Sequence, residues 1–213
     1  MKNKLRFPLL ALALTCTTGL VGCGDDDDDM DVEMPDEENE EEVITTVGLT
    51  FTPSAGSAVT AEWRDADGDG GMDPTVEDIS LTAGETYTLT ITLTNELEDP
   101  AEDITEEIEE EDDEHQFFFG GTLIESPTET EMDAIATFAY ADMDGGGLPI
   151  GLSSTVTANV AGSTSLQVVL RHLPPVNDQA IKVADLDATF VASGASGLPG
   201  DSDVDVSFTL NVQ

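Results

Sequence analysis

Cysteine and positively charged side chains are the scarcest components of this 213-residue chain. Two cysteines and six Lys and Arg residues stand against 46 Asp and Glu, which gives a formal net charge of −40 at pH 7. Nucleic acid is excluded as a partner, because binding phosphates needs clustered Lys and Arg. A field of this sign attracts cations instead, metal ions first. The alternative explanation is solubility, or life in salty water.

The first 23 residues have the pattern of an export signal. Three basic residues come before position 7, and an uncharged, mostly apolar stretch follows over residues 7–21, too short to span a bilayer. The sequence Leu-Val-Gly-Cys ending at Cys23 resembles the lipobox of bacterial lipoproteins. That resemblance implies cleavage of residues 1–22 and lipidation of Cys23, the first residue of the mature chain, which anchors the protein stably in a membrane.

The other cysteine, Cys16, lies within the predicted signal peptide, so the mature chain has no disulfide available. Its charge becomes −43, since three basic residues remain against 46 acidic ones. Residues 43–213 must therefore be held together by a buried core, with or without bound ions. A domain of this size buries roughly 70% of its unfolded surface.

Residues 24–42 contain 13 acidic residues and almost no apolar ones. Such a segment cannot offset its ordering entropy by burial, which predicts a disordered, self-repelling tether. An acidic run directly after the lipidated Cys23 resembles the surface-export signal of Bacteroidota lipoproteins. The second mature residue is Gly24 instead of the Asp of an inner-membrane retention signal. We expect an outer-membrane, surface-exposed location, with a plain spacer as the alternative.

From residue 43 onward apolar residues alternate with Thr, Ser, Asp or Asn, which is typical of β-strands. The alternating runs are residues 47–51, 59–63, 87–93, 135–139, 156–160, 166–170 and 204–210. Turn-forming clusters separate them at fairly regular spacing, so we predict an all-β fold, an antiparallel Ig-like β-sandwich.

An internal repeat accompanies these strands. Residues 63–68 and 140–145 share the pattern aromatic-x-Asp-x-Asp-Gly, and an Ala-Gly turn precedes a long alternating run in both copies. We interpret residues 43–119 and 120–213 as two related halves. One shared core is favoured over two small sandwiches, because neither half has many large apolar residues.

Residues 96–114 interrupt the alternation with another 13 acidic residues. Asp103 and Glu106 have the spacing of a capping box, and Ile104 and Ile108 lie one turn apart, which predicts one short acidic helix. Its like charges cost a few tenths of a kcal/mol per pair unless cations screen them. Residues 115–119, His-Gln-Phe-Phe-Phe, follow and predict a buried strand.

Asp65, Asp67 and Asp69, followed by Gly70, match the opening of a calcium loop, with oxygen ligands at alternate positions before a sharp turn. The twelfth position is Val76 instead of Glu, and the loop joins predicted strands, so it is not an EF-hand. An Asp-Gly hairpin turn is the alternative explanation.

Asp142 and Asp144 form a shorter turn of the same kind and a weaker candidate for calcium.

His115 and His172 are the only histidines of the chain. If strand pairing brings them together, with carboxylates nearby, they are candidate ligands for copper or zinc. The sequence spacing does not show that they meet. A hydrogen-bonded histidine at a strand end is the alternative for each.

Catalysis has little support in the sequence. It contains no Gly-x-Ser-x-Gly, no free thiol in the mature chain and no His-x-x-x-His pair. The glycines lie beside aspartates, which would repel phosphate. We expect a protein that is not an enzyme.

The lipobox, the acidic tether, the stretch at 95–107, the His-Gln-Phe-Phe-Phe motif at 115–119 and the closing residues 203–208 together carry a family resemblance. The chain resembles a group of acidic Bacteroidota-type lipoproteins of uncharacterised function, sometimes labelled "type 1 periplasmic binding fold superfamily". The label implies an α/β fold. The alternating runs favour the all-β fold instead.

The sequence thus predicts a lipid-anchored cell-surface protein with a non-enzymatic binding role, stabilised by calcium at its acidic turns. One alternative is an accessory lipoprotein for metal or nutrient uptake beside an outer-membrane transporter, with the two histidines and the acidic helix as its capture surface. Another is a purely structural envelope lipoprotein, which needs no site.

Overall fold

The computed structural model describes residues 42–68, 71–128 and 133–213. All of them belong to one compact unit, Glu38–Gln213. The predicted signal peptide, Cys23, the tether up to residue 41 and the candidate ligand Asp69 lie outside the described residues.

Twelve strands and two α-helices are present in the described part of the chain. The strands are β1 (Thr46–Pro53), β2 (Val59–Arg64), β3 (Thr75–Val76), β4 (Ile79–Leu81), β5 (Thr86–Asn95), β6 (Glu102–Asp103), β7 (His115–Gly120), β8 (Ile124–Glu125), β9 (Ala136–Tyr140), β10 (Ser153–Ala158), β11 (Gly162–His172) and β12 (Asp201–Val212). The helices are α1 (Ile104–Glu110) and α2 (Leu186–Ser193). Every alternating run of the sequence overlaps one of the longer strands.

The strands form two sheets. The larger has the order β3-β2-β1-β5-β10-β9-β8, with β6 also pairing with β5, and the smaller has the order β4-β12-β11-β7. Most neighbours are antiparallel, but β4 runs parallel to β12 and β8 runs parallel to β9. The prediction of a β-rich fold is confirmed. The sheets are mixed and not antiparallel throughout, because these two short strands are not joined to their partners by hairpins.

The main core follows from the alternation within strands. Along β5 the even-odd pattern of exposed and buried residues continues from Thr86 to Asn95, so one face is apolar and the other carries threonines. The core cluster takes residues from both predicted halves, from Val47 to Val212. Each fully buried Leu, Ile or Phe in it contributes about 1.5–3 kcal/mol of transfer free energy.

Strand β7 departs from alternation because both of its faces are covered. Phe117 and Phe119 pack into the main core, whereas Phe118 lies on the opposite face in a second cluster with Phe190 of α2. The Phe118 and Phe190 ring centroids are 5.4 Å apart. The buried strand predicted at residues 115–119 is confirmed. In the smaller sheet β7 is the last strand of the order and pairs with β11.

Helix α1 begins as the sequence predicts. The Asp103 side chain accepts a hydrogen bond from the backbone N–H of Thr105 at 3.1 Å, and Ile104 and Ile108 are buried. The prediction of a single helix is wrong, since α2 also forms. Its sequence lacks a clear apolar stripe, and its β-branched residues are weak helix formers. The helix is stabilised by the packing of Leu186 and Phe190 on the smaller sheet.

Neither helix approaches the length of a membrane span, and none of the described segments forms a helix long and apolar enough to cross a bilayer.

The two copies of the sequence repeat take different places in the fold. The first long strand after an Ala-Gly turn, β5, lies in the larger sheet, while its counterpart β11 lies in the smaller one. The aromatic-x-Asp-x-Asp-Gly segments both begin in the last residues of a strand of the larger sheet, β2 and β9.

Candidate metal centre

His115 and His172 meet at the end of the smaller sheet. They are opposite each other in the antiparallel register of β7 and β11. Their rings stack with centroids 4.6 Å apart and planes at 8°. Both residues are buried, with 0% and 4% exposure. Strand pairing thus supplies the contact that the sequence spacing left open.

The hydrogen bonding of His115 leaves one ring nitrogen available. Its Nδ1 lies 3.2 Å from the carbonyl oxygen of Glu111, which favours the tautomer with the proton on Nδ1. Its Nε2 then carries a lone pair and finds no hydrogen-bond partner among the described residues. A backbone carbonyl that fixes the distal ring nitrogen in this way is the usual support of a metal-bound histidine.

Carboxylates surround the two Nε2 atoms. For His115 the distances are 3.7 Å to Oε1 of Glu42 and 3.8 Å to Oδ2 of Asp203. For His172 the distance to Oε2 of Glu114 is 3.6 Å. All three are too long for hydrogen bonds.

One donor atom each from Glu42, His115 and His172 lies within 4.8 Å of the others. A zinc or copper ion bound by all three would lie about 2.0–2.2 Å from each donor and near the plane of each ring. One of the two stacked imidazoles would therefore have to turn out of the stack to bind the ion.

Four separate parts of the chain bring these side chains together. Glu42 lies just before β1, and its side chain is 8% exposed. Glu111 and Glu114 lie in the turn between α1 and β7, where the backbone N–H of Glu114 donates to the Glu111 carbonyl. Asp203 lies on β12, and its side chain is fully buried. The sheet pairing of β7, β11 and β12 makes the assembly rigid.

Burial and the neighbouring charges shift the pKa values of His115 and Glu42 in opposite directions. Burial lowers the pKa of His115, but Glu42, the Glu111 carbonyl and Asp203 raise it by more, so the pKa lies above its ordinary 6.5. Burial raises the pKa of Glu42, but His115 lowers it by more, so this pKa lies below 4.5. Burial and then neighbouring carboxylates raise the pKa of Glu107. Burial also raises the pKa of Glu111, where the carboxylates of Glu42, Glu114 and Glu107 add to the rise and His115 opposes it.

We expect the metal-free protein to lose stability as the pH rises above 6.5. The raised pKa of His115 contributes stability that is fully present below 6.5 and lost as the pH rises through its folded-state value. The raised pKa values of Glu107 and Glu111 also contribute stability that is lost as the pH rises, and this loss begins above 4.5. Urea unfolding with a chelator, at pH values from about 6 to about 8.5, measures the change. Glu42 acts in the opposite sense only below 4.5.

The His115→Gln variant should flatten this profile. A free energy of unfolding that rises between those pH values in the metal-free wild type would contradict the assigned charges. Saturating metal should reverse the slope, because ligation needs the neutral imidazole.

The Asp-rich turn after β2 joins two strands, as predicted, since β2 pairs with β3 in antiparallel fashion. Oδ2 of Asp67 accepts a hydrogen bond from the backbone N–H of Met72 at 3.3 Å. Oδ1 of Asp65 and Oδ1 of Asp67 are buried and find no hydrogen-bond partner within the described part of the chain. Because Asp69 lies outside that part, the three-carboxylate set stays a prediction.

Asp142 and Asp144 both have partners within the protein. The two oxygens of Asp142 accept from the backbone N–H groups of Gly151 and Ser153, each at 2.7 Å. Oδ1 of Asp144 accepts from two backbone N–H groups of its own turn, and its Oδ2 lies 2.9 Å from Nζ of Lys182. These contacts give both carboxylates a role in holding the turn after β9.

Sequence reasoning did not find Glu42, Glu114 and Asp203 as members of the histidine cluster. Each lies in or beside an acidic run or an alternating strand, so none stands out from its neighbours by composition. The burial of Asp203 in a strand with otherwise exposed acidic residues is visible only in the folded chain.

Comparison with known proteins gives no relative: the chain matches no family model, no curated protein and no solved structure.

Proposed function

We propose that this protein binds a transition-metal ion, zinc or copper, between His115, His172 and Glu42, and that its role is non-enzymatic. The observation that supports this most is the pair of buried imidazoles whose Nε2 atoms have no hydrogen-bond partner among the described residues. A buried polar group without a partner costs about 1–3 kcal/mol. A bound metal would satisfy both nitrogens at once.

The donor types fit this class of ion. Neutral imidazole and carboxylate are common ligands of Zn²⁺ and Cu²⁺, while Ca²⁺ and Mg²⁺ prefer sets of oxygen atoms alone. The large negative charge of the chain raises the local concentration of cations around the site. Capture of a scarce ion therefore suits this surface better than conversion of a substrate.

The proposed setting is the cell envelope. It rests on the lipobox-like segment ending at Cys23 and on the acidic residues that follow it. Lipid anchoring at the outer membrane, facing outward, would tether the histidine cluster to the cell surface. We propose an accessory lipoprotein that supplies the metal to an outer-membrane transporter. A purely structural envelope lipoprotein is the alternative that needs no site.

A calorimetric titration tests the proposal. The full chain, with its thiols alkylated because thiolates bind the same ions, is titrated at fixed ionic strength with Zn²⁺, Cu²⁺, Ca²⁺ and Mg²⁺. We expect one tight site for Zn²⁺ or Cu²⁺, weakened at least about tenfold by Glu42→Gln. Glu62→Gln, an exposed acid-to-amide change on β2, is the matched control. Weak binding of all four ions alike, unchanged by Glu42→Gln, would overturn the proposal.

Calcium is the second candidate ligand, at a different place. It is favoured by the buried Oδ1 atoms of Asp65 and Asp67 that lack hydrogen-bond partners among the described residues. A calcium-selective signal in the same titration, lost in the Asp65→Asn/Asp67→Asn variant, would support the predicted calcium-stabilised turn. No calcium-selective signal would remove it.

We also propose that the fold is an Ig-like β-sandwich. The two sheets and their common core support an Ig-like β-sandwich made from two related halves. An experimental structure that superimposes the two halves would establish the duplication, and halves without a common strand order would refute it.

A further inference from the structure

Asp203 occupies an irregular position in β12. In the pairing of β11 with β12, Leu170 is opposite Val204 and Arg171 is opposite Ser202, so the register shifts at this point. Asp203 is the extra residue of a β-bulge and is opposite no residue of β11. Bulges of this kind redirect a side chain and are common next to functional sites.

The bulge turns the Asp203 carboxylate toward the histidines. Regular alternation would give it the orientation opposite to that of Val204, which is buried in the main core. Its side chain is instead fully buried, with Oδ2 at 3.8 Å from Nε2 of His115. A buried carboxylate beside an imidazole nitrogen that has no hydrogen-bond partner in the described part of the chain has the placement of a ligand.

We propose that Asp203 is a metal ligand, and that with His115, His172 and Glu42 it makes a site of two nitrogens and two oxygens for a divalent ion. This inference rests on the proposed metal-binding function. It adds a fourth ligand and the charge of the ion, neither of which follows from the histidine pair alone.

The charges around the site favour two positive charges on the ion. Four carboxylates, of Glu42, Glu111, Glu114 and Asp203, lie within 4 Å of the histidine nitrogens. The guanidinium of Arg171 interacts electrostatically with Asp201, Asp203 and Asp205, so its charge is shared among three carboxylates. With neutral imidazoles these four carboxylates leave the site negatively charged, and a divalent ion offsets more of that charge than a monovalent ion does. Buried charge without compensation is costly.

The donor atoms support the same choice. The contacts of the cluster are all to nitrogen and oxygen, whereas Cu⁺ is selected by thiolate and thioether sulfur. The methionines of the described part, Met72 and Met143, are exposed. The site therefore favours Zn²⁺ or Cu²⁺ over Cu⁺.

The test measures the affinities of Zn²⁺, Cu²⁺ and Cu⁺ by competition with chelators, using the full chain with alkylated thiols. Asp203→Asn keeps the size of the side chain and removes its charge. We expect it to weaken Zn²⁺ and Cu²⁺ at least tenfold and to change Cu⁺ less than twofold. Asp205→Asn, an exposed change of the same kind on the same strand, should alter none of the three by more than twofold.

Several outcomes overturn the inference. One is an Asp203→Asn variant whose affinities equal those of Asp205→Asn while the wild type binds Zn²⁺ tightly, which would leave the histidine site intact without Asp203. A second is tighter binding of Cu⁺ than of Cu²⁺. Absence of tight binding in the wild type would instead overturn the proposed function itself. If the melting curve shows that Asp203→Asn does not fold, Asp203→Glu replaces it. This variant keeps the negative charge but moves the carboxylate, so we expect it to weaken the binding of Zn²⁺ and Cu²⁺.

Discussion

Zinc or copper should raise the melting temperature of the wild-type protein by about 5–10 °C, and the His115→Gln/His172→Gln variant should show no such rise. An ion at 100 times its dissociation constant stabilises the folded state by about 2.7 kcal/mol. For a domain of 150–250 residues each kcal/mol raises the melting temperature by about 2–4 °C. Because these are the only two histidines, the variant removes every imidazole from the chain.

The metal-free melting temperatures provide the control for that comparison. Glutamine preserves hydrogen-bonding capacity at both buried positions, so the variant should melt near the metal-free wild type at pH 8. Differential scanning calorimetry of the wild type and the variant, each with added metal and with chelator, measures the four melting temperatures. An equal rise in the variant would assign the stabilisation to the acidic runs and not to the histidines.

Lys182→Met should destabilise the protein by about 3–5 kcal/mol, the cost of leaving one member of a buried ion pair without its partner. Nζ of Lys182 lies 2.9 Å from Oδ2 of Asp144, with side-chain exposures of 1% and 2%. The same ammonium group donates a hydrogen bond to the carbonyl oxygen of Asp112. It thus ties the segment before α2 to the turn after β9 and to the turn that leads to the histidines.

A double-mutant cycle with Asp144→Asn separates the pair from its surroundings. Once Lys182 is absent, Asp144→Asn should cost less than it does in the wild type, because it then removes an unpaired carboxylate instead of leaving a buried ammonium unpaired. Urea unfolding of the four proteins gives the coupling free energy. A loss below about 1 kcal/mol for Lys182→Met would show that the pair behaves as an exposed one.

The strands were predictable from the sequence because alternation is a local property. Residues such as Val47 and Leu49 alternate with small or polar neighbours, and one face of the strand must then be buried. Helix α1 was predictable for the same reason, since its cap at Asp103 and its two isoleucines lie within two turns. The short strands β3, β4, β6 and β8 were not, because two or three residues are too few for any periodicity.

The candidate metal centre was predictable only in its histidines. Their contact depends on the pairing of β7 with β11, whose residues are far apart in sequence. The approach of Glu42 depends on where the chain enters β1, and that of Asp203 on a one-residue bulge. Neither feature leaves a mark in composition. The predicted calcium carboxylates of Asp142 and Asp144, by contrast, are local, and the folded chain gives them backbone and lysine partners.

X-ray absorption spectroscopy of the zinc-loaded protein is the most direct measurement of the central claim. The account predicts a first shell of nitrogen and oxygen at about 2.0–2.1 Å, with the outer-shell scattering of two imidazole rings, which the His115→Gln/His172→Gln variant should lose. A shell of oxygen atoms alone, the same in wild type and variant, would contradict the account and assign the ion to the acidic runs.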